Sequence, residues 1–315
     1  MPNEAYEVLY NRVLDVSAVI HFPFKLFTMA IVIRYTPADI RYLSYFLLDE
    51  MMWNLVGNTV FAFIHLHPMF PAECFRAESI VSFLDGNEVL DHTMFFVLLL
   101  CVPNCGIAIS STFHYRYIIF AFPQQASNIK PSWVIALCAA VHLCSVPTFC
   151  YLYLQWIVPY SSYPLKEELP QSGGLFCFKP FGWEKIAFVA FLSTIVVLTG
   201  SGLVSAALLL RSIENKKGSL HKGVLNKHKE VIYTFLAVMC VPIFFGGFPF
   251  MCTVMTCLYP HLPYARWVYM ISVVAVANHG SLQAIVLIFA VRPYRKAALK
   301  ILHRLFPFGT KVTTL

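Results

Sequence analysis

Long apolar runs separated by short polar stretches dominate the chain. They fall at about 13–33, 42–66, 92–113, 133–158, 185–210, 231–258 and 267–291. An α-helix rises about 1.5 Å per residue, so about 20 apolar residues cross the hydrocarbon core of a bilayer. The strands of a membrane barrel would alternate in short segments, and these runs do not alternate. The pattern predicts an all-α membrane protein, a seven-transmembrane helix bundle over 13–291. A short segment, 1–12, precedes it and a tail, 292–315, follows. The chain shows neither an internal repeat nor a low-complexity tract, which favours one domain. Its start lacks the basic residues and small-residue cleavage site of a signal peptide, so the first run is expected to be retained as a span.

Composition agrees with this pattern. Apolar residues make up 58% and charged residues 12% of 315. Soluble domains run near 45–50% and 25%. So little charge cannot clothe a water-soluble surface, which excludes an ordinary cytosolic enzyme, a disordered regulator and a nucleic-acid binder. The net charge of +7 has its explanation in where the cations fall. Arg12, Arg76, Lys166, Lys179 and Arg266 lie on the N-terminal side of the predicted bundle. The other side holds Arg34, Arg41, Arg116, Lys130, Arg211, Lys216, Lys217, Lys222, Lys227, Lys229, Arg292, Arg295, Lys296, Lys300, Arg304 and Lys311, while Lys25 and Lys185 belong to runs. Cytoplasmic loops carry the excess of Lys and Arg, so a split of 16 against 5 predicts an outside N-terminus and a cytosolic C-terminus. The positive charge is then topology and contact with lipid headgroups, with no nucleic acid as partner. The acids Glu73, Glu78, Asp85, Glu88 and Asp91 gather in one predicted outer loop.

Several local patterns carry more specific information. The third run ends in Phe113-His114-Tyr115-Arg116-Tyr117, an Arg among aromatics. The seventh carries Asn278-His279-Gly280-Ser281 and ends in Arg292-Pro293-Tyr294-Arg295. Thr36-Pro37 follows the first run, and Pro68 and Pro71 follow the second. Taken in order, with seven spans and a basic third cytosolic loop, these residues resemble the nematode chemosensory serpentine receptors. Classes H and I of those G-protein-coupled receptors are nearest in pattern. The resemblance covers nearly the whole chain. It implies a chemosensory receptor, without enzymatic activity or cofactor, that binds a small external molecule and activates a heterotrimeric G protein. It also implies that Arg116, Tyr117, His114, Tyr294 and Arg295 face that G protein. Class H carries a Phe-Glu-Asn-Arg-like sequence at the end of the third span, and His114 stands where the Glu would be. An acid there can hold the Arg in a resting state, whereas a neutral His can only hydrogen-bond. Arg116 is therefore expected to be held by other means.

Inside the runs, Lys25, Asp49 and Glu50 are the costliest residues. Lys25 lies about 13.5 Å and Asp49 about 12 Å from the inner ends of their helices. An unpaired charge near mid-bilayer costs at least about 2.5–3.5 kcal/mol. Pairing Lys25 with Asp49 or Glu50 is expected to tie the first two helices, and neighbours about 100° apart allow only one acid to face it squarely. Asn278 and His279 lie about 20 Å from the inner face. They are candidates for polar contacts in a ligand pocket or for helix-packing bonds beside Gly280. The sixth run reads Pro242-Ile243-Phe244-Phe245-Gly246-Gly247-Phe248-Pro249, a sequence that invites a bend. Phe244 and Phe248 are candidates for the pocket floor. Residues 294–306 place Ala298, Leu299, Leu302 and Phe306 beside Lys296, Lys300 and Arg304, as in an amphipathic helix lying on lipid.

Seven of the ten cysteines sit in apolar runs and act as small hydrophobes. Cys74 and Cys177 fall in different outer loops. A disulfide between them would pin the second loop over the pocket, provided their Cα atoms come within about 7 Å. A seven-span metal hydrolase would need His and carboxylate ligands clustered at one depth. No run contains His-x-x-x-His or His-x-x-x-Asp, and His142 stands alone. A channel or transporter would be expected to show inverted repeats or paired broken helices.

Overall fold

The computed structural model describes residues 2–79, 86–128, 130–170, 174–216 and 222–305. Asp85, Lys217, Phe306 and Lys311, named above, lie outside them, as do the side chains of Lys222, Lys227 and Lys229. The first three helices are α1 (Pro2–Tyr35), α2 (Arg41–Phe63) and α3 (Glu88–Ala121). A short α4 (Pro123–Asn128) leads to α5 (Pro131–Trp156), which begins with proline where its missing N–H costs nothing. Then come α6 (Ile186–Asn215), α7 (Lys222–Val241), a π-helical turn (Pro242–Gly247), α8 (Phe248–Leu258), α9 (Ala265–Ala290) and α10 (Arg292–Leu305). The sixth span is thus α7, the turn and α8 in series.

Six of these stretches are long and apolar enough to cross a membrane: those in α1, α3, α5, α6, α7–α8 and α9. The remaining helix of the bundle, α2, carries Asp49, Glu50, Asn54 and Asn58. It falls short of the combined length and apolarity that the other six reach. Its polar residues are spent inside the bundle: Glu50, Asn54 and Asn58 are all buried.

The loops at one end fold into a four-stranded antiparallel sheet in the order β1-β2-β4-β3. The strands are β1 (Ile64–Pro68), β2 (Cys74–Ser79), β3 (Ile157–Val158) and β4 (Leu175–Phe178). His67 pairs with Arg76, Cys74 with Cys177 and Ile157 with Phe178. Cys74 and Cys177 are joined by a disulfide, with Cα atoms 4.1 Å apart. Beneath the sheet, Phe75, Phe176 and Phe178 are almost fully buried and pack on Phe95, Tyr153 and Trp156. This aromatic layer closes the sheet end of the bundle. A second core lies at the opposite end, where Val32, Leu47, Val238, Leu287 and Tyr294 meet.

Two expected boundaries move. Residues 2–12 are the start of α1, whose 34 residues make a rod of about 51 Å, longer than a bilayer core. Its first turns stand beside the sheet: Tyr10 is buried and donates to the Leu66 carbonyl at 3.2 Å. Lys185, expected at the start of the fifth run, stands just before α6. It closes a short 3-10 turn before α6, and its Nζ lies 2.5 Å from Oε1 of Glu73, which immediately precedes β2. The cation therefore joins the sparse basic set at the sheet end.

Candidate functional site

A cavity of about 560 Å³ lies halfway along the bundle, between α2, α3, α6, the π turn, α8 and α9. Its wall is mostly apolar. Phe244, Phe248 and His279 line it, as do Asn54 and Asn58. The π turn supplies part of the wall because Pro242 has no N–H to give and Gly246-Gly247 favour no tight helical packing. The Phe248 N–H reaches back five residues to the Ile243 carbonyl. Toward the sheet lies a second, smaller void of about 60 Å³, lined by Leu66, Phe95, Phe250 and Tyr269 and sharing Phe61, Leu98 and Val276 with the first as lining residues.

Asn278 does not line the cavity. It exchanges hydrogen bonds with Ser17 on α1 at 3.2–3.3 Å and donates to the Val274 carbonyl at 2.8 Å. The physical reason is helical: neighbours point about 100° apart, so Asn278 faces α1 when His279 faces the cavity.

His279 ends a buried polar chain through three helices. Lys25 Nζ donates to Asn54 Oδ1 and, at 3.3 Å, to the Asn54 carbonyl. Asn54 Nδ2 donates to His279 Nε2 at 2.7 Å, and His279 Nδ1–H donates to the Val276 carbonyl at 2.5 Å. These bonds assign one tautomer, with the proton on Nδ1. Gly280 makes the approach possible, since a Cβ there would overlap Asn54 Oδ1 and Lys25 Nζ. Gly246 does the same across the π turn, where a Cβ would lie 3.1–3.3 Å from the His279 ring.

The direct pairing of Lys25 with an acid is corrected by this arrangement. Among the described residues no carboxylate lies within salt-bridge distance of Lys25; its long stem carries the ammonium one turn further along α2, to Asn54. Glu50 is near enough to attract it electrostatically, and its Oε2 accepts from Gln283 on α9 at 2.9 Å. Asp49 points the other way. Its Oδ2 lies 2.8 Å from His142 Nε2 on α5, while His142 Nδ1 meets Asn104 Oδ1 on α3 at 2.5 Å. His142 is thus part of a tie and does not stand alone.

At the end away from the sheet, Arg116 lies over the ring of Phe235 on α7, 5.6 Å from its centroid. His114 turns back on its own helix, Nδ1 to the Ser110 carbonyl at 2.6 Å. Tyr117 packs edge-on against Phe122. Tyr294 is buried and its hydroxyl meets Thr36 Oγ1 at 2.8 Å, tying α10 to the end of α1. Arg295 is exposed and donates to the Phe289 carbonyl at 3.2 Å. Along α10, Ala298 is buried against the bundle, whereas Leu299 and Leu302 are exposed.

Residues 5–304 match a family described as serpentine type 7TM GPCR chemoreceptor Srh. The chain belongs to that family. No curated protein matches it. Its family makes it a multi-pass membrane receptor of the chemosensory kind. Such receptors are generally not enzymes.

Of the groups that could hold a metal in this receptor, Asp49, Cys138 and His142 bring their ligand atoms within 4.8 Å of one another. Both His142 nitrogens already have protein partners, so the cluster is complete as an ion pair with a thiol beside it.

The sheet end of this receptor is bound by charges. Glu7 on α1 meets Arg266 on α9 and Arg76 on β2, the latter at 2.8 Å. Arg76 also meets Glu78 at 2.7 Å. Burial alone would raise the Glu7 carboxyl, but Arg266 and Arg76 hold it below its usual range. Glu73 is raised by burial, against the pull of Lys185. His67 is wholly buried and hydrogen-bonds Asn11 at 3.0 Å. Burial pushes it down to about 4, against the attraction of Glu78.

Sequence reasoning missed Asn54 and Asn58. Both stand on the face of α2 that carries Glu50, four and eight residues further on. Polar residues at that spacing in a helix that must cross lipid were the available signal.

Proposed function

We propose that this receptor binds a small ligand in the 560 Å³ cavity and responds by engaging a heterotrimeric G protein at the Arg116 end. The N-terminus lies outside, the C-terminus lies in the cytosol, and the site of action is the plasma membrane of a sensory cell. One observation carries the reading. The cavity wall includes the π turn, and the helix beyond that turn carries Phe235, which covers Arg116. A ligand that prefers one shape of the turn biases the position of α7 and so the exposure of Arg116. No bond is made or broken; the work is differential binding to two states. The orientation is supported by the basic excess at the Arg116 end and by the disulfide, which suits an oxidising exterior. The exposed Leu299 and Leu302 of α10 suit contact with the inner leaflet.

The test is basal G-protein activation by the full chain in a heterologous cell, with an N-terminal epitope reporting surface delivery. Arg116→Ala is expected to abolish coupling at normal surface level. Unchanged coupling would reduce Arg116 to a membrane anchor.

A further inference from the structure

The cluster of Asp49, Cys138 and His142 holds more than an ion pair needs. Asn104 Nδ2 donates to the Leu100 carbonyl at 2.7 Å, so the amide turns its oxygen to His142 Nδ1. That oxygen has no proton to give, and the Nδ1 proton is committed to it. His142 Nε2 therefore meets Asp49 Oδ2, at 2.8 Å, with either a second proton or a bare lone pair. Two lone pairs repel at that distance, so a positive charge belongs between them. In the ion pair it is a proton. A metal cation satisfies the same two atoms.

The third donor favours the cation. Cys138 Sγ lies 3.8 Å from the same Asp49 oxygen, and the three ligand atoms fall within 4.8 Å of one another. A carboxylate–imidazolium pair has no use for a thiol. Zn2+ takes nitrogen, oxygen and sulfur together, at about 2.0–2.2 Å for the first two and about 2.3 Å for sulfur. Tetrahedral angles then put nitrogen and oxygen about 3.4 Å apart, and sulfur and oxygen about 3.6 Å apart. The cluster reaches that shape by opening the first contact about 0.6 Å and closing the second about 0.2 Å. Its surroundings suit a ligand set. Metal-binding imidazoles donate their other N–H to a fixed acceptor, as His142 does to Asn104. Trp53 stacks on the His142 ring, 5.6 Å between centroids. The Ser111 hydroxyl of α3 donates to Cys138 Sγ at 3.5 Å, a bond that suits a thiolate. Charge balances too. A neutral imidazole, a carboxylate, a thiolate and a divalent cation sum to zero, the favourable condition at about 10–16 Å from the helix ends on the Arg116 side.

We propose that Asp49, Cys138 and His142 form a binding site for one divalent transition-metal cation of the zinc type, which joins α2 to α5 and, through Asn104, to α3. The cation takes the place of two protons, one from His142 Nε2 and one from Cys138 Sγ, which leave to solvent. Asp49 keeps 29% of its side chain exposed, which leaves one ligand open to an arriving ion. None of the three residues lines the 560 Å³ cavity, so cation and chemosensory ligand occupy different places. On its other face α5 turns Leu137 and Leu143 away from the bundle; the cation adds a clamp on the face it turns inward.

The experiment uses the full chain in detergent micelles, freed of its affinity tag, stripped of metal by a chelator and titrated with Co2+. Cobalt replaces zinc in such sites and reports its ligands by colour. One equivalent is expected to bind, with the visible bands of a tetrahedral centre and a sulfur-to-metal charge-transfer band, and Zn2+ is expected to displace it. Loss of an outer-shell partner already costs about 10–100-fold in metal affinity. Cys138→Ser, which removes a ligand, should therefore abolish the charge-transfer band and weaken cobalt binding at least about tenfold. Zn2+ should raise the melting temperature of the wild type and not that of the variant. If Cys138→Ser does not fold, Asp49→Asn decides, with a loss of binding of the same size expected. Absence of the charge-transfer band in the wild type overturns the site. A band of equal strength in Cys138→Ser overturns it as well, because the sulfur then lies elsewhere, and so does wild-type affinity in Asp49→Asn.

Discussion

Gly280→Ala is a sharp perturbation, because two effects of opposite sign meet at one atom. In an exposed helix interior Ala is favoured over Gly by about 0.8–1.0 kcal/mol. At Gly280 the added Cβ overlaps Asn54 Oδ1 and Lys25 Nζ. These are the two partners of the buried bond between α1 and α2. Overpacking of a tight site costs about 1–3 kcal/mol. Displacing the amide also weakens a bond to a charged group, worth about 1.5–3 kcal/mol. The net loss is about 2–5 kcal/mol. At about 2–4 °C per kcal/mol, the scale for domains of about 150–250 residues, this lowers the melting temperature by at least about 4 °C. The assay is thermal unfolding of the purified receptor in one detergent, followed by tryptophan fluorescence. Gly200→Ala in α6 is the control, since a Cβ there meets nothing within 4 Å, and it should melt at or above the wild type. Gly280→Ala melting as high as Gly200→Ala would refute the close approach of Asn54 and Lys25 to α9.

Three further outcomes are expected. Acidification from pH 7 to 5 should destabilise the sheet end: burial holds His67 down to about 4, so below its ordinary value of about 6.5 the unfolded chain binds a proton that the folded one does not. Melting curves across that range should flatten in His67→Gln, and an identical slope in the variant would remove His67 from the account. His142→Ala should cut the yield of folded receptor by leaving Asp49 without its partner in the membrane, while the double variant Asp49→Asn, His142→Ala should recover it; failure of that recovery would count against the tie. Phe178→Ala deletes a ring with no exposure, stacked on Trp156 at 3.8 Å, and should cost about 3–5 kcal/mol, read as a loss of melting temperature that a surface variant such as Phe181→Ala does not share.

The spans were legible because length and apolarity are local properties, summed over one helix at a time. The sheet was not. Its strands hold 5, 6, 2 and 4 residues, too short for a periodicity to stand out, and β2 meets β4 across about a hundred residues of chain. The alternation in Phe75-Arg76-Ala77-Glu78 was the available trace of it. For Lys25 the sequence supplies a position along the first helix, but that marks only where a side chain starts. Four methylene groups carry the ammonium past Glu50 to Asn54, and only the packing of α2 against α9 at Gly280 reveals that destination. Phe244, Phe248 and His279 were marked out by their setting in broken or polar stretches of helix, and all three line the cavity. Asn278 shared that setting and faces α1, a difference of one residue in rotation that no composition records.

The fit of Gly246 against the His279 ring has a mechanical consequence. The imidazole sits like a tooth in a notch that only the absence of a side chain creates. Any slide or roll of the π turn along α9 must lift the tooth or drag it. The tooth is geared to Asn54 and through it to Lys25, so a load applied at the turn is shared by α9, α2 and α1 within a single hydrogen-bonded linkage.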